Sequence, residues 1–555
     1  MLSNRPFAAL ADRRTWPWLV LGALAFVAGV WLRVYQLRTQ TLIDDEWHAV
    51  RMLIRTDAAG IASHFGYADY SIPLTLYYRW LYDLGVLSEW QMHLPLLLAG
   101  IALLLLAPYL LRRWVPLPVR VVWMALLAIS PVLVYLSRTA RPYALACLCA
   151  LVAIVAFRLW WRREGTRLWA LLYVATAAAA AWLHLLTIVF TLWPFVWFGV
   201  PALRDAVRRR TRTHGRGEFL RMVGLAVATV IALALVLVPP VLGDWRSMAA
   251  KAGTDSVTAD TLYRSLLMMF GISNAWLCVL LAILLVLGVW RLWSRERDLA
   301  GFIVSMMLVG VGVIALSRPA WIQHQQTFVR YVLPIVPFVL LFLAEGIVFA
   351  VAMLRVPALA AAAAALSIIG LAAAGPMPGY YYYPNQLMGH ELFQFDYDAN
   401  ANPYSTRLEL GAVPLFFRDL STRPPGSITL IEAPARLISH YLPDPWYQRI
   451  HRQNIKYAAV APVCGGGEGD ELPHAAPGAR FHRMGKLADL LDGATWGADY
   501  LVLRLRPWSV PAGLDMPWPD MQACTAKVAA RLGPPVYRDE QMVVFALARA
   551  KSDAE

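Results

Sequence analysis

Long apolar runs recur along the first two thirds of this 555-residue chain, and they limit its fold more than any other feature. Crossing ~30 Å of hydrocarbon takes a helix of roughly 17–25 apolar residues. The hydrophobic fraction of 59% is higher than a soluble protein of this size would carry. The sequence therefore predicts a polytopic α-helical membrane protein. Eleven transmembrane helices are expected, at about 16–36, 93–111, 119–136, 142–161, 167–183, 185–203, 220–241, 274–292, 299–316, 331–352 and 356–375.

The arginines of the chain lie mainly in alternate loops between these spans. Their clusters fall at 112–113, 158–167, 204–216 and 291–297, which is one side of the membrane if the chain starts in the cytoplasm. This is the positive-inside pattern. The net charge of +14 is thus a signal of orientation and of contact with membrane lipids, and no nucleic-acid partner is expected. We predict a multi-pass protein of the inner (plasma) membrane with a cytoplasmic N-terminus.

The loop after the first span has the opposite charge balance. From Arg38 to Gln91 it holds four arginines and seven acidic residues, so it belongs on the outer side. At residues 37–92 it is too long for a plain connector. We expect it to carry two interfacial helices, one beginning near Asp44 and one over Ile72–Leu81. Residues 1–375 then form the membrane domain, and residues 376–555 form a soluble periplasmic or extracytoplasmic domain.

Short β-rich runs alternate with helical patterns in this C-terminal domain, which predicts a small, largely parallel α/β sheet. Cys464 and Cys524 lie there, and whether they form a disulfide is left open. The four tyrosines at 380–383 are expected to anchor the domain junction at the lipid headgroups. The predicted strands are Ser427–Ile431, Tyr457–Ala461, Tyr500–Leu505 and Met542–Ala546, and the predicted helices include Ala433–Tyr441 and Met521–Leu532.

Three acids, Asp44, Asp45 and Glu46, follow the first span directly. Carboxylates at the edge of the hydrocarbon are costly, so they usually have a task. One reading is structural, because acids suit the first turn of a helix and Thr41 with Asp44 fits a capping box. The other is catalytic: a carboxylate there can take a proton from an attacking group, and its neighbour can orient the acceptor or bind a divalent cation.

Three further polar clusters fall on the same outer side by this topology. Arginine binds phosphate bidentately, which makes the turn with Arg138 and Arg141 a candidate phosphate site, although headgroup anchoring is the alternative. A lone histidine such as His184 is often a satisfied core residue. Convergence of these clusters would make an interfacial active site. Their members are Arg138, Arg141 and Tyr143 before the fourth span, His184 before the sixth, and His324, Arg330 and Tyr331 before the tenth.

The order of these motifs resembles the GT-C glycosyltransferases of family 39, the superfamily of protein O-mannosyltransferases and lipid A aminoarabinose transferases. The resemblance covers about residues 16–350. It implies transfer of a sugar from a polyprenyl-phosphate carrier to an acceptor on the outer side of the membrane, with inversion at the anomeric carbon. Residue by residue, it implies acid roles for Asp45 and Glu46, and donor-binding roles for Arg141, Tyr143, His184, Arg330 and Tyr331.

One position departs from that family's pattern. Relatives often carry Glu-Ala-Arg in the turn, where this chain has Thr139-Ala140-Arg141. The missing carboxylate puts a second acidic site in doubt, and with it any metal that bridges two loops. A divalent cation held by Asp45 and Glu46 therefore stays open. Residues assigned to the acceptor or to auxiliary roles are Asp44, His48, His64, Asp69 and His324.

The sequence thus predicts a membrane glycosyltransferase with Asp45 as general base, Arg138 added to the donor site, and a lipid, glycan or protein as acceptor. Two other classes remain. A translocator of lipid-linked sugars or polysaccharide would also carry polar groups among its helices, and an envelope scaffold would use the C-terminal domain to bind partners. The sugar, the acceptor and the need for a metal are not readable from the residues.

Overall fold

A computed structural model describes residues 15–35, 37, 38, 40, 42, 46–66, 71–162, 166–208, 213–250, 253, 255–272, 274–375, 377, 413–435, 444–460, 463–465, 484–493, 496–506 and 519–547. The chain forms a bundle of long apolar helices followed by a small α/β unit. The helices are α1 Trp16–Val34, α2 Glu46–Arg55, α3 Ala58–Ser63, α4 Ile72–Asp83, α5 Glu89–Leu110, α6 Leu117–Ile129, α7 Pro131–Ser137, α8 Tyr143–Trp161, α9 Thr166–Leu183, α10 Ile188–Arg208, α11 Thr213–Ala250, α12 Ala259–Phe270, α13 Ala275–Arg295, α14 Arg297–Ser317, α15 Gln325–Tyr331, α16 Val336–Val351 and α17 Pro357–Ala374.

The eleven predicted spans all correspond to apolar helices. Among the described residues, nine helices are long and apolar enough to cross a membrane. The pair α6 and α7, bent by 60°, makes a tenth span if it is counted as one. The remaining prediction, 167–183, falls on α9, whose apolar segment Arg167–Leu183 is shorter. The polytopic helical fold is therefore confirmed.

The bend between α6 and α7 follows from Pro131. Proline has no N–H, so the carbonyl of Leu127 loses its intrahelical donor at this point. The buried Arg33 of α1 replaces it: its Nη2 donates to Leu127 O at 3.0 Å and its Nη1 donates to Ala128 O at 3.1 Å. At Gly100 of α5 a Cβ would lie 2.0 Å from Ser137 Oγ, so only glycine lets α5 approach α7 this closely.

We call the end of the bundle that carries residues 37–92 the loop face. There the two helices predicted in this loop are present as α2 and α4, with the short α3 between them, and their place at the membrane surface stays a prediction. Arg79 of α4 caps the C-terminus of α2, because its Nη1 donates to Leu53 O at 3.1 Å and to Thr56 O at 2.6 Å. The backbone N–H of Gly66 donates to Asp244 Oδ2 of α11 at 2.7 Å, which ties the loop to the bundle.

The opposite end of the bundle holds ion pairs of the arginine-rich loops. Arg158 lies 2.8 Å from Asp298. The guanidinium of Arg295 pairs with the buried carboxylate of Glu345 on α16. Acidic side chains of α14 and α16 therefore pair with two of the arginines at this end.

The C-terminal unit contains one six-stranded sheet in the order β3-β2-β1-β4-β6-β5. Its strands are β1 Thr429–Ala433, β2 Asn454–Ala459, β3 Met484–Lys486, β4 Tyr500–Arg504, β5 Tyr537–Arg538 and β6 Met542–Ala546. Strands β1 to β4 are parallel, whereas β5 and β6 run antiparallel to their neighbours. The predicted strands and the helix Met521–Leu532 are confirmed, with shifts of up to three residues at strand ends.

One predicted helix of this unit is wrong where it can be compared. Ala433, its first predicted residue, instead ends β1, and the following Pro434 lies in a bend. Residues 436–441 of that prediction lie outside the described residues, as do the four tyrosines at 380–383. Cys464 and Cys524 form a disulfide, which settles the pairing that the sequence leaves open.

The C-terminal unit packs on the loop face. One buried apolar cluster contains Val50 of α2 and Tyr78 of α4 together with Ile455 and Tyr457 of β2. Leu183, at the end of α9, belongs to the same cluster. The sheet, the first long loop and the helix ends next to it therefore share a core.

Candidate active site

Arg141, Tyr143, His184, Arg330 and Tyr331 meet at the loop face, and we call them the cationic cluster. The guanidinium carbon of Arg330 lies 5.5 Å from the centre of the Tyr143 ring, and that of Arg141 lies 5.9 Å from it. The His184 ring is centred 5.5 Å from the Tyr143 ring and 5.9 Å from the Tyr331 ring. Five of the six predicted donor-binding residues thus converge from three distant segments of the chain.

Each of these side chains is placed by the end of a helix. Tyr143 begins α8, and Pro142 before it suits a helix start because its missing N–H has no intrahelical partner there. His184 lies between α9 and α10. Arg330 and Tyr331 end α15, and the Tyr331 hydroxyl donates to Ala320 O at 3.1 Å. The cluster therefore lies at an end of the bundle and not at its middle.

Burial and charge act on His184 in the same direction. Its partial burial disfavours the charged imidazolium, and the positive charges of Arg141 and Arg330 add to this effect, so its pKa falls from 6.5 to about 4. The imidazole is therefore neutral at pH 7 and can both donate and accept a hydrogen bond. Two guanidinium groups beside a neutral imidazole form a half-buried site that favours an anion.

Arg138, the sixth predicted donor residue, contacts the end of α1 and Gln40. Its Nη1 donates to three carbonyl oxygens at the C-terminal end of α1, those of Leu32 at 3.2 Å, Arg33 at 3.1 Å and Tyr35 at 2.8 Å. Its Nη2 donates to Gln40 Oε1 at 3.0 Å. A side chain that donates to the last carbonyls of a helix caps its C-terminal end, so Arg138 caps α1. The contacts account for the burial of Arg138 without a phosphate, and its predicted donor role stays a prediction.

Glu46 is fully buried at the start of α2. Its Oε1 lies 2.8 Å from Nε2 of His93, which is also fully buried on α5. The same oxygen accepts the backbone N–H of Ala140 in the turn before α8. This carboxylate is therefore used inside the protein, which weighs against the predicted contact with an acceptor or a cation.

Asp44, Asp45 and Asp69 lie outside the described residues, so their predicted roles stay predictions. Within the described part of the chain, no group of three or more histidine, cysteine, aspartate or glutamate side chains is arranged to hold a metal ion. A cation at Asp45 and Glu46 also stays a prediction.

The three auxiliary histidines are described but lie in other settings. His64 ends α3, where its Nδ1 is 3.0 Å from Ser63 Oγ and 3.3 Å from Gly60 O. His324 precedes α15 and stacks on Trp321, with ring centres 5.7 Å apart. His48 is half-buried on α2. None of these contacts includes a member of the cationic cluster.

Sequence reasoning missed His93 and Tyr78. The Tyr78 hydroxyl donates to Met92 O and Ala140 O, each at 3.2 Å, and so braces the turn that carries Arg141. A histidine near the start of an apolar span is itself a signal, because such a group needs a partner in that setting. The identity of the partner, Glu46, depends on tertiary packing.

The described residues thus define a polytopic helical membrane protein with a cationic cluster at its loop face. No protein-family model matches the chain, and no curated protein matches it. Solved structures do. The chain is similar to ArnT from Cupriavidus metallidurans bound to undecaprenyl phosphate, with a TM-score of 0.46, 14% identity and coverage of 96% of this chain and 98% of that one.

The chain is also similar to the oligosaccharyltransferase of Archaeoglobus fulgidus, with a TM-score of 0.44, 13% identity and coverage of 87% of this chain and 68% of that one. Both are glycosyltransferases of the GT-C fold, the class that the sequence resemblance names. At these identities and TM-scores, no residue role or ligand is transferred from them to this chain.

Proposed function

We propose that this protein is a membrane glycosyltransferase that moves a sugar from a polyprenyl-phosphate carrier to an acceptor. The observation that carries the proposal is the convergence of Arg141 and Arg330 on Tyr143 and His184 at the loop face. Two fixed positive charges at the end of a bundle suit a phosphate that is attached to a membrane lipid. The loop face is then the outer side, and the C-terminal unit is periplasmic or extracytoplasmic.

The proposed reaction transfers one proton and exchanges one bond at the anomeric carbon. Asp45 takes the proton from the acceptor's nucleophilic atom, which attacks the anomeric carbon of the donor sugar. The bond from that carbon to the phosphate oxygen breaks, and the electron pair leaves with the polyprenyl phosphate. Arg141 and Arg330 stabilise the charge on the departing phosphate. Attack from the face opposite the leaving group inverts the anomeric configuration.

The position of the cationic cluster favours catalysis of sugar transfer over transport. Transporters bind their substrates near the middle of the membrane, whereas the cationic cluster lies where α8 begins and where α9 and α15 end. The C-terminal unit packs on the same face, where it could contribute to acceptor binding.

We expect a strain without this protein to lose one sugar from an envelope lipid, glycan or protein and to accumulate the corresponding lipid-linked sugar. Mass spectrometry of envelope fractions measures both. Return of the intact gene is the control and should restore the product. Accumulation of the lipid-linked sugar on the inner side only, together with normal transfer when membranes of that strain are supplied with donor on the outer side, would instead favour a translocator.

A second prediction concerns pH. A bound phosphate offsets the two arginines and raises the pKa of His184 from about 4, so the bound protein takes up a proton. Affinity for undecaprenyl phosphate should therefore rise as pH falls from 7 through the raised pKa, and this rise should end near pH 4.

The control for that measurement is His184→Gln, which cannot take up the proton. The phosphate's own titration affects both proteins equally, so the ratio of their affinities isolates His184. A ratio that stays constant from pH 7 to pH 5 would show that no anion binds beside this histidine.

A further inference from the structure

The pair formed by Glu46 and His93 joins three segments of the loop face. Glu46 begins α2, His93 lies in the first turns of α5, and Ala140 lies in the turn before α8. Glu46 Oε1 accepts the N–H of Ala140 and lies 2.8 Å from His93 Nε2. Both side chains are 0% exposed. A buried pair of this kind holds its segments at fixed distances.

The hydrogen-bond roles in this pair follow from the chemistry of its atoms. Oε1 of Glu46 already accepts the Ala140 N–H, so we assign the proton of the second bond to Nε2 of His93. The other ring nitrogen, Nδ1, has no hydrogen-bond partner in the described part of the chain. Glu46 is thus the hydrogen-bonding partner that orients this imidazole.

The residues next to this pair are those that the proposed reaction needs. Asp45, the general base of the proposal, is bonded directly to Glu46, and Arg141 is bonded directly to Ala140. Consecutive Cα atoms are about 3.8 Å apart. The hydrogen bond from Ala140 to Glu46 therefore joins the start of α2, one residue after the proposed base, to the turn one residue before the phosphate-binding arginine.

We propose that Glu46 and His93 are positioning residues that hold the start of α2, which follows the proposed base in the chain, against the turn that carries Arg141. This inference rests on the proposed function for its purpose, and on the observed hydrogen bonds for its geometry. It reassigns Glu46, which the sequence places among the groups that contact the substrate. Tyr78 supports the same turn through Ala140 O.

Glutamine separates a positioning role from a catalytic one at Glu46. Glu46→Gln keeps a carbonyl oxygen that can accept from Ala140 and His93 but removes the negative charge. For Glu46→Gln, a positioning role predicts activity within about tenfold of wild type. Misplacing a reacting group can lower the rate about 10²-fold. Glu46→Ala and His93→Ala remove the hydrogen bonds, and each should lower transfer about 10²-fold.

The first measurement needs no substrate. Hydrogen exchange of the peptide that contains Ala140, followed by mass spectrometry on the full-length protein in nanodiscs, reports whether its N–H is held. Exchange should speed up about tenfold or more in Glu46→Ala and should change less than about threefold in Glu46→Gln. Glu345→Ala is the matched control, because it removes a buried carboxylate that pairs with Arg295 at the opposite end of the bundle.

The second measurement is product formation in the deletion strain carrying each variant. Because Glu46→Ala and His93→Ala disrupt the same pair, their double variant should lose no more than about threefold beyond the worse single one. Independent losses that multiply to about 10⁴-fold would overturn the proposal, as would a Glu46→Gln variant as inactive as Glu46→Ala. Unchanged exchange in Glu46→Ala would also overturn it.

The two proposals can fail separately. If Asp45→Asn transfers sugar normally while the exchange results hold, the catalytic assignment fails and the pair still organises the turn. If Asp45→Asn is inactive and exchange is unaffected by Glu46→Ala, the function stands and the positioning role fails.

Discussion

Replacing Asp45 with Asn should lower the rate of sugar transfer at least ~10²-fold, the lower range for removal of a general base. Asparagine keeps the size of the side chain but cannot take the acceptor's proton at neutral pH. The rate is measured in proteoliposomes, with the lipid-linked sugar that accumulates in the deletion strain as donor. Affinity for undecaprenyl phosphate should stay within about threefold of wild type, because the base does not bind the carrier.

Comparison of Asp45→Asn with Asp44→Asn tests whether the loss is specific to Asp45. Asp44→Asn is the matched control, since Asp44 is the neighbouring acid and the sequence predicts that it caps a helix. This variant should retain most of the activity. Near-normal transfer by Asp45→Asn would exclude Asp45 as the base. If Asp44→Asn loses most of its activity and Asp45→Asn loses none, the general base is Asp44.

Replacing Arg141 and Arg330 together with Gln should reduce transfer about 10³-fold or more. At an effective dielectric constant near 20, a unit charge ~4 Å from a phosphate contributes about 4 kcal/mol, compared with about 1 kcal/mol in bulk water. Loss of one group that stabilises charge in the transition state usually costs about 10²–10³-fold in rate. Each single variant should therefore lose about 10²-fold. The pKa of His184 should rise in the double variant, because the positive charges of Arg141 and Arg330 that help to lower it are removed.

Arg318→Gln is the control for the arginine variants. Arg318 is exposed between α14 and α15 and donates to Asp255 O at 3.1 Å, away from the contacts of the cationic cluster. It removes one positive charge near the same face, so it tests whether net charge alone matters. A loss in Arg318→Gln as large as in Arg330→Gln would contradict a specific site.

Local hydropathy was enough to predict the spans, because a helix in lipid satisfies its backbone within itself. It also predicted α2 and α4, whose patterns are local. Convergence of Arg141, His184 and Arg330 on one face followed from counting spans. Counting spans could not predict that they lie 5–6 Å from shared aromatic rings, because these distances depend on how α8, α9 and α15 pack.

Two predicted site residues make contacts that the sequence did not predict, and both cases have the same physical cause. Arg138 and Glu46 are charged groups at the membrane edge, and sequence alone cannot separate a charge used for a ligand from one used for the fold. Arg138 caps the end of α1, more than 100 residues earlier in the chain. Glu46 pairs with His93, 47 residues later. Both partners are distant in sequence, so neither leaves a local pattern.

The proposed function requires the cationic cluster to bind the phosphate of a polyprenyl carrier. The most direct test measures the affinity of the purified protein in nanodiscs for undecaprenyl phosphate and for undecaprenol, which lacks the phosphate. Wild type should prefer the phosphate at least ~10²-fold, and Arg141→Gln/Arg330→Gln should lose that preference while still binding undecaprenol. Equal affinity of wild type for the two lipids, or an unchanged preference in the double variant, would contradict the claim.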